Sequence, residues 1–79
     1  EVIADGDVHV YGHLRGRASA GLCGDRGSKI LATSFSAELL SISDVYVVDP
    51  LNGSESGAVI ASIEEIEGDD SIVLRDLAG

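Results

Sequence analysis

The sequence predicts an all-β protein, wound as a short parallel solenoid and closed by a terminal β-hairpin. Three observations lead there. An apolar residue recurs every six positions at Val2, Val8, Leu14 and Ala20, and a small residue follows each by four at Gly6, Gly12, Ala18 and Gly24. Residues 1–11 (EVIADGDVHVY) align without a gap on residues 38–48 (ELLSISDVYVV), an offset of 37 that matches Glu1, Asp7, Val8 and Val10 with Glu38, Asp44, Val45 and Val47. Finally, 44% of residues are apolar, yet the chain has no Trp, no Met, two Tyr and one Phe, so burial must come from stacked Val, Ile, Leu and Ala. A flat strand points alternate side chains inward, and Gly or Ala lets the backbone bend without a Cβ clash. Three such faces make a coil of roughly 18 residues, a signature of parallel β-solenoids.

The elements follow in order. In residues 7–21 (DVHVYGHLRGRASAG) the glycines mark corners, and Val8 and Val10 face inward. Residues 21–28 (GLCGDRGS) form a loop, and 29–35, 37–42 and 45–48 are strands, with Ala37 and Val45 inward. Residues 50–57 (PLNGSESG) are the clearest turn cluster. In residues 58–66, Val59, Ile60, Ile63 and Ile66 fit a helical period while the β-branched content favours a strand. We read a strand, because Gly68-Asp69-Asp70 then links it to residues 71–75 as the hairpin.

At 79 residues the chain is one domain, 1–79, near the size where a core only just suffices. It does not begin with Met, so it is expected to be cut from a longer protein. Fourteen acids against five bases give a net charge of −9, which argues against nucleic acid and against direct contact with an anionic membrane. A single Cys cannot close an internal disulfide and suits a reducing cytoplasm. No signal peptide is evident, and no apolar run approaches the roughly 20 residues of a spanning helix.

Arg15 and Arg17 stand at i and i+2, so in a regular strand both point to one face, and that face must be solvent. They read either as a solubilising pair or as an anion-binding edge, since arginine offers a rigid fork to carboxylates. His9 and His13 lie on different strands or a corner, with no orienting partner; His9 is expected to stack with Tyr11, and no metal or acid–base role is assigned. Asp25 and Arg26 form either a loop ion pair or part of a partner-facing edge. Cys23, with no basic neighbour in sequence, is expected to be a small buried corner residue. Leu39 and Leu40 point to opposite faces, so one is outward, which suggests an interface. The acids from Glu64 to Asp70 form a solvated hairpin edge that discourages edge pairing. No catalytic, cofactor-binding or metal-ligating set emerges.

The blocks ADGDVHVYGHLRGRASAG, GDR and AELLSISDVY, in that order and spacing, resemble the C-terminal domain of the bacterial septum-site-determining family MinC. The match runs from Ala4 to Tyr46. The resemblance implies a short right-handed β-helix, triangular in section, that dimerises through an apolar face and has no enzyme activity or cofactor. It implies binding to the membrane-associated ATPase MinD, which would carry a cytoplasmic protein to the inner membrane. It also implies contact with the C-terminal tail of the tubulin-like division protein FtsZ, restricting where septa form. Arg17 and Leu39 match positions of that tail contact, Arg15 lies beside them, and Asp25 and Arg26 match a MinD-facing edge. The family's Arg-Ser-Gly-Gln motif for MinD and its N-terminal domain lie upstream of this chain, and Asp44 stands where the family has glycine. Two alternatives remain on the residues alone: a β-helical scaffold that polymerises end to end, and a solenoid enzyme, which the absence of a placed carboxylate pair or nucleophile disfavours.

Overall fold

The computed structural model describes residues 1–52 and 56–76, and among these it contains only strands and turns. The strands are β1 (Val2–Ile3), β2 (Val8–Ala20), β3 (Ile30–Ile42), β4 (Val45–Val48), β5 (Val59–Ile66) and β6 (Asp69–Asp76). The sheet is mixed. β1, β2 and β3 pair in parallel, β4 and β5 run antiparallel to β3, and β6 runs antiparallel to β5.

The parallel part is organised by pairs of inward residues. β3 buries Ile30 and Ala32, then Phe35 and Ala37, then Leu40 and Ile42. Within each pair the spacing is the two residues of a pleated strand, and between pairs it is three, so the chain turns at residues 33–34 and 38–39. The partners on β2 are Val8 and Val10, Leu14 and Gly16, and Ala18 and Ala20, with register shifts between Val10 and His13 and between Gly16 and Arg17. At the second shift Gly16 adopts φ 81°, a conformation open to glycine at little cost. Small core residues (Ala18, Ala20, Ala32, Ala37, Ala61) let the strands stack closely around Phe35, which is fully buried.

The six-residue beat holds from Val8 through Leu14 to Ala20, all buried, but Val2 is 37% exposed. The 37-residue repeat is not a coil repeat. Val8 stacks on Ile30, whereas its sequence match Val45 lies antiparallel to Ile42. The chain reverses at Ser43 (φ 55°) and Asp44 instead of adding another parallel strand, so the second copy folds as a hairpin. The left-handed residue there is Ser43, not Asp44, which explains why Asp44 needs no glycine. Val10 is half-buried against the core, and Val45 is half-buried.

Residues 58–66 resolve as strand β5 and its hairpin partner is β6. The turn is Glu67-Gly68, with φ 53° and 87°, so Asp69 and Asp70 already belong to β6. Positive φ at both central residues is the geometry that matches strand twist in two-residue hairpins. Of the turn cluster at 50–57, Asn52 (φ 53°) donates its N–H to Asp49 O, Ser56 bridges Phe35, and 53–55 lie outside the described residues.

Cys23 is exposed, not a buried corner residue. The loop's buried positions are its two ends, Gly21 and Ser28, and residues 22–27 between them are exposed. A hydrogen bond to Asp5 and that carboxylate's charge push the Cys23 thiol up, away from a reactive thiolate. Ser28 is 1% exposed and its hydroxyl has no hydrogen-bond partner among the described residues. Ser28→Ala removes that orphan group and should raise stability by about 0.5–1 kcal/mol in urea denaturation. A loss above about 1 kcal/mol would mean the hydroxyl is satisfied after all.

Candidate functional site

The residues that merit attention lie on the outer side of β2, β3 and β4. Ala18, Ala20, Leu40 and Ile42 point into the core, so strand alternation sends Arg17, Ser19, Leu39 and Ser41 outward. On β4, Val47 packs against the core opposite Leu40, which turns Tyr46 and Val48 outward. The register then sets two rows across the sheet. Arg17 pairs with Leu39, which pairs with Val48. Ile3 pairs with Ser19, which pairs with Ser41, which pairs with Tyr46. Tyr46 is 69% exposed, Val48 63% and Ile3 54%, while Leu39 is half-buried. Ser41 Oγ donates to Ser19 Oγ at 3.2 Å, which fixes the polar centre of the second row. The outcome is an exposed apolar strip with a guanidinium at one end.

The five bases divide sharply. Arg75 grips Glu64 through Nε and Nη2, the latter at 2.6 Å. Arg26 pairs with Asp70 and stands 3.4 Å from Asp44, so one side chain ties the β2–β3 loop to the β3–β4 turn and to β6. The hydrogen bond to Asp70 and the charges of Asp44 and Asp70 raise its pKa further, and it stays charged. Arg15, Arg17 and Lys29 form no ion pair with any described residue. In a chain of net charge −9, unpaired arginines are conspicuous.

Two expectations need refinement. Arg15 and Arg17 alternate with the inward Leu14, Gly16, Ala18 and Ala20 and both are exposed, as expected, but the positive φ of Gly16 and the register shift beyond it give them different neighbours. Arg15 stands beside Ser36 and Arg17 beside Leu39. Asp25 and Arg26 do not pair with each other. Asp25 Oδ1 accepts the N–H of Gly27 at 3.0 Å, a local turn bond that leaves Arg26 to its more distant partners.

His13 is held by hydroxyls, with Nδ1 2.6 Å from Ser34 Oγ and Nε2 2.5 Å from Ser36 Oγ. His9 and Tyr11 are exposed, Tyr11 at 85%. No group of three metal-capable side chains converges among the described residues. The arrangement offers surfaces for binding: an apolar strip, two unpaired guanidinium groups and a serine–histidine cluster. The sequence singled out Arg17 and Leu39, which stand in these rows, and did not single out Ile3, Tyr46 and Val48. The run Val45 to Val48 is apolar throughout, so no alternation told which residues face out.

Comparison with known proteins sets this surface in context. The family model described as "Septum formation inhibitor MinC, C-terminal domain" matches residues 1–77. A probable septum site-determining protein MinC of Shewanella halifaxensis is 45% identical over 69 residues, covering 87% of this chain and 31% of the relative. Its counterpart in Shewanella denitrificans is 61% identical over 46 residues, 58% of this chain and 21% of the relative. The solved MinC:MinD cell division protein complex of Aquifex aeolicus superposes with a TM-score of 0.83 at 33% identity, over 99% of this chain and 61% of that one. The chain thus spans under a third of those curated relatives' length.

Proposed function

This chain belongs to the family of the septum formation inhibitor MinC, C-terminal domain, and from that membership we propose that it restricts septum placement by binding partners rather than by catalysis. The partners are MinD, a second copy of the chain, and the C-terminal tail of FtsZ. The parallel strands with their three inward pairs are, in this reading, coils of a right-handed triangular β-helix. The protein works in the bacterial cytoplasm and reaches the inner membrane only through MinD. Likeness to a chain solved in a MinC:MinD complex supports the first partner.

The observation that carries the FtsZ contact is Arg17, which forms no ion pair with any described residue and stands in one row with Leu39 and Val48. A peptide with acidic and apolar groups suits such a row, the charge orienting it and the apolar strip desolvating its anchor. The tail and a second copy cannot occupy one face together. Self-association therefore falls to the outer side of β3 and β5, where Leu31 pairs with Ile60 and both are half-buried outside the core. Asp25 and Arg26 contribute to the MinD edge by holding the loop in shape, Arg26 through its ties to Asp44 and Asp70.

An FtsZ-tail peptide titrated against the MinD-bound domain by fluorescence anisotropy tests this. Arg17→Ala should weaken binding by roughly tenfold or more, a loss on the order of 1–3 kcal/mol. Light scattering should show the same dimer for the variant and the parent. Unchanged peptide affinity would leave Arg17 a solubilising residue, and filaments in place of dimers would favour the polymerising scaffold.

A further inference from the structure

We propose that the corner at Gly16 divides the acidic-peptide surface into two anion subsites on adjoining faces, the second built from Arg15 and the serine pair held by His13. This rests on the reading of Arg17 and Leu39 above and extends it to a surface that reading does not use.

The geometry starts with the glycine. Residues i and i+2 of a regular strand share a side; residues 14, 16, 18 and 20 all turn inward, and between the two arginines Gly16 at φ 81° and a register shift bend the strand. Past it the register moves on, so Gly16 pairs with Ala37 while Arg17 pairs with Leu39, skipping Glu38. Arg15 is thereby left with the middle pair of strand segments, whose outer side is polar. His13 pairs with Ser34 there and Arg15 with Ser36.

The chemistry of that patch is donor-rich. The His13 ring lies between both hydroxyls, at 2.6 Å and 2.5 Å. A neutral imidazole donates through one nitrogen and accepts through the other, so one serine gives its proton to the ring while the other only accepts. The accepting serine keeps its O–H free to donate outward, beside a guanidinium that has no ion-pair partner among the described residues. A carboxylate is the group that takes an Arg fork together with a hydroxyl donor. The ring also fixes both serine rotamers before a ligand arrives, which lowers the ordering cost of binding.

The two subsites differ in kind. Arg17 sits beside apolar Leu39, which pairs in turn with Val48, and Arg15 sits beside a serine. An extended acidic segment crossing the corner therefore places one carboxylate next to its apolar anchor and another among the serines. Spacing between acids, and not acidity alone, becomes what the surface reads.

The test is a set of double-mutant cycles, using the same synthetic tail peptide and MinD-bound domain, with each peptide acid changed in turn to its amide. Arg15→Ala should weaken the peptide by roughly three- to tenfold and Ser36→Ala by about two- to threefold, with unchanged circular dichroism melts. One peptide acid should lose its effect when Arg15 is removed, and a different acid when Arg17 is removed. If Arg17→Ala weakens binding but Arg15→Ala does not, the second subsite is refuted while the Arg17 reading stands. Coupling of both arginines to one acid would refute the division into two subsites. If neither substitution matters, or the peptide does not bind the parent domain, both the inference and the reading beneath it fail.

Discussion

Phe35→Ala should cost about 3–5 kcal/mol of unfolding free energy, the range for removing a buried phenylalanine. A domain of this length holds only roughly 4–12 kcal/mol in total, so the variant should be largely or marginally unfolded. Phe35 is the only phenylalanine, fully buried and in the middle inward pair of β3 opposite Leu14. Much of the core around it is alanine, and short side chains cannot swing into a vacated ring-sized space. Its backbone is fixed as well, exchanging hydrogen bonds with Ser56 at 2.9 Å and 2.8 Å, so the strand cannot sag inward. Urea denaturation followed by circular dichroism measures the loss. A drop below about 1 kcal/mol would mean that the core repacks, against the close stacking described here.

Gly21→Ala should cost about 2–4 kcal/mol for a different reason, backbone strain plus a clash. Gly21 is buried at φ 63°, and a Cβ there would lie 2.2 Å from the carbonyl oxygen of Asp25. That oxygen is backbone and is held by the N–H of Ser28, so it cannot step aside without opening the loop. The N–H of Gly21 is meanwhile tied to Gly6 O at 3.1 Å. Gly12→Ala is the contrast, since nothing lies within 4 Å of its Cβ position and its φ is not positive; it should change stability by well under 1 kcal/mol. Equal effects at the two glycines would contradict the assignment of the Gly21 cost to local strain and clash.

Local chemistry carried much of this structure into the sequence. Alternating Val8 and Val10, small residues at bends and the Gly68 turn each specify their own segment, and strands formed where those patterns lie. Partner choice between strands is not local. Residues 38–48 resemble residues 1–11, yet a left-handed Ser43 sends them back along β3. Nothing in a serine announces that. The separation of Arg15 from Arg17 had a visible sign in Gly16, but a glycine is compatible with a regular strand until its φ is known. Arg26 sits beside Asp25 in sequence and instead reaches Asp70, a contact 44 residues away that only the closed fold creates.

The central claim is that the outward row of Arg17, Leu39 and Val48 serves division-ring contact and nothing structural. The most direct measurement is fluorescence localisation of a full-length MinC carrying this domain, in cells that express MinD, with Arg17→Ala against the unaltered protein. The account predicts that the variant folds, reaches the membrane with MinD and fails to gather at division rings. A variant that still gathers at the rings, with its fold and membrane recruitment intact, would contradict it.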